Sequence, residues 1–234
     1  MPPILLDHVF VAYLALVYPF VAWRNFPALV ERIRAGGEPL RVRAYQATVL
    51  TWLLHLALLL GLWLFTRREW EALGLRGAAP GDTLAGLVLG GLLLGAFAAY
   101  AWRQRAVRAT RSELEQSSGP VAVFLPRTAR EERWFRIMSL NAGVTEELLF
   151  RAYLYWYLLH WLGPGLAAAG TVLAFTAGHL YQGLRQLPGI ALMGTFFIVL
   201  YLVSDSILLP IVVHALVDVV QGRMLAGLLR RGQP

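Results

Sequence analysis

Apolar stretches of near-membrane length recur along this chain of 234 residues, and the short segments between them hold nearly all of its arginines. They fall at residues 4–23, 45–65, 83–102, 134–162, 166–184, 190–203 and 209–228. A helix needs about 20 apolar residues to cross a bilayer. In lipid, backbone polar groups must be satisfied within the segment itself. The pattern therefore predicts an all-α fold, a polytopic transmembrane helix bundle of about seven spans. The residue balance agrees, with 58% hydrophobic and 15% charged residues, against about 25% charged in a soluble domain.

The net charge of +7 comes from arginine alone, since no lysine occurs. The arginines number five in 24–43, three in 66–82, eight in 103–136 and one in 185–189, with two more at Arg230 and Arg231. Segments on one side of the expected bundle thus hold five, eight and one, plus the tail. The other side holds three, and none at 163–165 and 204–208. The excess of arginine on one side places the N-terminus outside and the C-terminus in the cytoplasm. Because the charge tracks topology, nucleic acid is not an expected partner. The expected surroundings are a lipid bilayer, with the chain multi-pass in a bacterial inner (cytoplasmic) membrane. No cysteine is present, so disulfides, thiol nucleophiles and thiolate metal sites are ruled out.

Several local expectations follow. Asp7 and His8 sit at the start of the first span, at headgroup level. Gly36-Gly37 breaks a loop over 24–43. His55, alone on an apolar helix, reads as a packed, hydrogen-bonded residue. Gly86-x-x-x-Gly90 and Gly91-x-x-x-Gly95 have the small-residue spacing of close helix packing. Thr128 and Glu131 have capping-box spacing, so a helix starts near Ala129. The chain divides into N-terminal helices and cytoplasmic loops (1–126) and a core that carries the polar motifs (127–234).

Those motifs are the costly part of the sequence. Glu146, Glu147 and Arg151 lie inside one apolar run, His179 inside the next, and His214 and Asp218 inside the last. An ionisable group at a bilayer centre costs roughly 2.5–3.5 kcal/mol or more, so groups kept there are expected to have a function. Helix rise puts Glu146 and Asp218 about 15 Å, His214 about 21 Å and His179 about 8 Å from the cytoplasmic ends of their spans, levels close enough to meet. Glu147 and Arg151 are spaced i, i+4 and can pair. Glu146 points about 100° away from Glu147, toward a cavity. His214 and Asp218 share one helical face, where the aspartate can hold the imidazole in one tautomer.

Two Glu, two His and an Asp, with no Cys or Ser nucleophile, fit activated water. A carboxylate and a histidine deprotonate it, and a second histidine with its neighbour stabilises an oxyanion. A zinc site built on His179, His214 and Glu146 is the competing version, although the His-Glu-x-x-His spacing of zinc peptidases is absent. A buried polar network that only fixes helix packing, and a transporter or proton relay, are further readings of the same groups.

Glu146-Glu147-x-x-x-Arg151, Phe175-x-x-x-His179 and His214-x-x-x-Asp218, in that order on successive apolar segments, resemble the three motifs of the CPBP family. This family holds CAAX-processing proteases and bacteriocin-immunity (Abi) proteins, and the resemblance covers roughly residues 127–222. It implies an intramembrane glutamate-type endopeptidase with no required cofactor, acting on a membrane-associated peptide or protein. Glu146 would be the general base with His179 assisting, and His214 with the residue four later would form the oxyanion hole. Glu147 and Arg151 would support Glu146 or engage the substrate. The family's eukaryotic CAAX proteases carry Asn where this chain has Asp218. An ionised carboxylate repels an oxyanion, so Asp218 would be protonated or act through His214. The resemblance carries no prenylated substrate with it, and a non-catalytic Abi-type protein that binds a peptide is the second reading it permits.

Overall fold

The computed structural model describes residues 1–77, 80–106 and 119–231. Residues 107–118, within the segment that carries eight arginines, lie outside the described part. The described residues form helices and connecting turns, with no strand among them.

Helix α1 (Leu5–Ala12) continues through a π-helical turn (Tyr13–Val17) into α2 (Tyr18–Phe65). The expected loop over 24–43 is therefore helical. Gly37, at φ 59° and ψ −138°, supplies the only non-helical residue inside α2. Glycine reaches that conformation without steric cost, so the chain reverses in one residue and the loop shrinks to a kink. The two arms pack against each other. The Tyr13 hydroxyl lies 2.9 Å from His55 Nε2, and Tyr18 meets Trp52 at 5.6 Å between ring centroids. His55 Nδ1–H also donates to the Thr51 carbonyl at 2.6 Å, so this histidine is packed and hydrogen-bonded as expected.

Helix α3 (Pro80–Ala106) follows, then a helical run made of α4 (Ala129–Glu146), a π-helical segment (Glu147–Leu154) and α5 (Tyr155–Leu159). Helix α6 (Pro164–Gly178) pairs with α7 (Leu187–Ser204), and α8 is Leu208–Arg231. By length and hydropathy, two of these runs qualify as spans on their own, Leu5–Phe65 and Leu187–Ser204. Seven were expected. Helix α6 is an apolar helix of only 15 residues, and the long run through α4 is interrupted by the charged groups that make the site.

Helix α4 lies between α2 and α8. Its start is capped as the spacing predicts. Glu131 N–H donates to Thr128 Oγ1 at 3.3 Å, and Thr128 N–H donates to Glu131 Oε2 at 3.0 Å. Glu131 also pairs with buried Arg41 just past the Gly37 kink, and Arg41 Nε–H donates to the Val123 carbonyl at 2.6 Å. The end of the bundle holding the kink is thereby tied to the start of α4.

Glycines set the closest helix contacts. A Cβ on Gly90 would stand 3.0 Å from Val213 of α8, and Gly86 faces Leu209. Gly91 and Gly95, about 140° round the helix from that pair, meet nothing within 4 Å among the described residues. Among the described residues, one of the two small-residue motifs therefore packs a helix and the other does not. A close crossing of the α4 and α8 backbones has no motif to mark it: a Cβ on Gly143 would lie 2.9 Å from both the Ala215 nitrogen and its Cβ. Gly143→Val is expected to wedge α4 from α8 at a cost of about 1–3 kcal/mol. The unfolding midpoint should drop, and an unchanged midpoint would contradict the contact.

Candidate active site

The π-helical segment sits at the centre of the fold. All of its residues, Glu147 through Leu154, are buried. Its apolar residues pack with Phe10 and Leu14 near the N-terminus, Trp52, Leu59 and Trp63 of α2, Phe175 of α6, and Ile207 before α8. π-helical turns are rare and concentrate at functional positions. Here the segment begins directly after Glu146, the last residue of α4.

The three polar motifs meet. Glu147 and Arg151 both have fully buried side chains, and Arg151 Nη1 lies 3.2 Å from Glu147 Oε1. The same Glu147 oxygen accepts from His214 Nδ1–H at 2.6 Å. The imidazole of His214 is therefore oriented by Glu147 from the neighbouring helix, while Asp218 Oδ2 stands 3.7 Å from the other ring nitrogen, Nε2. Sequence reasoning paired Glu147 with Arg151 and His214 with Asp218 but missed the Glu147–His214 contact. Those residues are 67 positions apart on different helices, and no spacing rule reports such a contact.

His179 lies just past the end of α6 rather than inside a span. It caps that helix at φ −106° and ψ 9°, and a single 3₁₀ turn, Leu180–Gln182, follows. Its Nδ1–H donates to the Phe175 carbonyl at 2.7 Å. That bond fixes the proton on Nδ1 and leaves Nε2 as an acceptor. His179 Nε2 and His214 Nε2 each stand 4.0 Å from Glu146 Oε2. Two ring nitrogens thus converge on one carboxylate oxygen, with Asp218 at the edge of the cluster. Asp218 is the open member, with its side chain 34% exposed.

Aromatic rings complete the walls. Phe197 of α7 stacks on His214 at 4.7 Å and 20°. Phe175 lies 4.4 Å from the His179 ring and beneath the Arg151 guanidinium at 4.0 Å, a cation–π geometry that offsets part of the cost of burying the charge. Tyr181 stacks on His179 at 5.9 Å and 26°. Phe175 was visible in the sequence as the residue four before His179. Phe197 and Tyr181 had no signal beyond an aromatic residue in an apolar stretch.

Residues 132–220, which contain every one of these polar groups, match the family described as type II CAAX prenyl endopeptidase Rce1-like. This segment belongs to the CPBP/CAAX protease family. The CPBP/CAAX family is a family of membrane-embedded proteases, in accord with the apolar helices of the fold, and the chain is a membrane protein. No curated protein and no solved structure matches the chain. The family match leaves helices α1 to α3 uncovered.

Proposed function

We propose that the protein is an intramembrane endopeptidase of the CPBP type, hydrolysing a peptide bond in a membrane-associated peptide or protein with water activated by Glu146. The convergence of His179 Nε2 and His214 Nε2 on Glu146 Oε2, each at 4.0 Å, carries this reading. That distance is too long for a direct hydrogen bond and suits a bridging water. Glu146 accepts a proton from that water, and His179, whose Nε2 is free to accept, helps to polarise it. His214 donates toward the oxyanion from Nε2, held in place by Glu147 through Nδ1. Asp218 acts through His214 rather than on the oxyanion, which an ionised carboxylate would repel. Arg151 balances the buried charge of Glu147.

The family description suggests prenylated CAAX peptides as one substrate class. The direct test is purified protein in proteoliposomes offered a farnesylated CAAX peptide in one arm and an unprenylated transmembrane peptide in another. Cleavage of either by wild type, lost in Glu146→Gln, is the expected result. Binding without cleavage of both would overturn the protease reading in favour of a peptide-binding protein.

Metal dependence is tested separately. Among the described residues, no three His, Asp or Glu side chains form a group suited to a metal ion. The glutamate-base mechanism predicts that 1,10-phenanthroline leaves the cleavage rate unchanged. Loss of activity restored by added zinc would instead assign His179, His214 and Glu146 as ligands.

A further inference from the structure

A second buried charge cluster lies at the end of the bundle opposite the Gly37 kink. Asp7, expected at headgroup level, is fully buried. Arg68, just beyond α2, donates to it in bidentate fashion, Nη1 to Oδ1 at 2.8 Å and Nη2 to Oδ2 at 2.6 Å. The Tyr153 hydroxyl donates to Oδ1 at 3.0 Å, and the Ile4 backbone N–H donates to Oδ2 at 2.7 Å. The Arg68 guanidinium rests on Trp156 at 4.4 Å and Trp63 at 5.2 Å. Four donors on one carboxylate leave this pair little freedom to move. None of Asp7, Arg68 or their segments belongs to the family-matched region.

Tyr153 connects the two clusters, because it belongs to the same π-helical segment as Glu147 and Arg151. Those three are its polar side chains, and each is engaged: Glu147 with His214, Arg151 with Glu147, Tyr153 with Asp7. A π turn takes one residue more than an α turn and is disfavoured in isolation. If the segment lost that extra residue and became α-helical, everything beyond it would rotate by about 100° and shift by about 1.5 Å relative to what precedes it. Glu147 could then keep His214, or Tyr153 could keep Asp7, but not both.

We propose that Tyr153, anchored on the Asp7–Arg68 pair, is a positioning residue for Glu147. Its hydrogen bond holds the π register that delivers Glu147 to His214. The N-terminal helices, which the family match does not cover, thereby act on the site from the far end of the bundle. The proposal rests on the protease reading only for its kinetic consequence.

The experiment is Tyr153→Phe, which removes one hydroxyl and keeps the ring. The first readout is the downfield proton resonance of His214 Nδ1–H in the full-length protein in bicelles, assigned by its disappearance in His214→Gln. It is expected to move upfield or broaden in Tyr153→Phe. The second readout is cleavage, with kcat expected to fall about tenfold at constant KM, in line with the cost of small misplacements in a site. Asp7→Asn should reproduce both effects, and the Asp7→Asn/Tyr153→Phe double variant should add nothing further. An unmoved resonance in Tyr153→Phe would overturn the proposal, whatever happens to stability. The resonance reports whether or not the wild type cleaves any peptide, so failure of the protease reading is seen separately in the cleavage arm.

Discussion

Glu146→Gln is expected to lower kcat by a factor of about 10²–10⁴, the range a positioned general base contributes, with the fold intact. Glutamine has the size and shape of glutamate, so the packing at the end of α4 should survive. It cannot accept the water's proton. Oε2 is the oxygen on which both histidine Nε2 atoms converge at 4.0 Å, and among the described residues no other carboxylate oxygen is recorded near both. Glu147 is turned to His214 and Arg151 through its Oε1. Initial cleavage rates in proteoliposomes, read beside a thermal melt of each protein, make the comparison. A glutamine variant within tenfold of wild type would sink the assignment of Glu146 as base.

Glu147→Ala is expected to damage both stability and activity. Arg151 would be left as a fully buried cation, and removing one partner of a buried pair costs about 3–5 kcal/mol. His214 would also lose the acceptor that aims its ring. The two losses can be separated. The double variant Glu147→Ala/Arg151→Met removes both charges and should recover most of the stability, because no unpaired charge remains. Activity should stay low, because nothing then holds His214. A reversible unfolding titration in mixed micelles gives the first quantity and the cleavage assay the second. If the double variant regained activity together with stability, Glu147 would be a structural partner of Arg151 and no more.

Much of the site was legible along the chain because burying charge in an apolar helix is costly. That cost singled out Glu146, Glu147, Arg151, His179, His214 and Asp218, and helical spacing correctly paired Glu147 with Arg151. The start of α4 was equally plain, since the Thr128–Glu131 capping box is a local device. Gly36-Gly37 was correctly placed as a break, but the surrounding arginines suggested a loop where the chain stays helical up to a one-residue reversal. The burial of Asp7 was hidden for a related reason. Its partners, Arg68 and Tyr153, are 61 and 146 residues away, and an acidic residue beside an apolar run looks like a headgroup contact when no partner is in view.

Local chemistry along the chain thus determined an all-helical, membrane-type chain, its buried ionisable residues and their order. Only the tertiary structure decided which of these residues touch. It turned His214 to Glu147 through Nδ1, brought two imidazoles to one oxygen of Glu146, and placed a π-helical turn between the site and the Asp7–Arg68 pair. The physical reason is one of range. Burial cost, capping and helical spacing act within a few residues and can be read from sequence, whereas the rotation of one helix against another is set by contacts between distant segments, such as the close approach of Gly143 to Ala215.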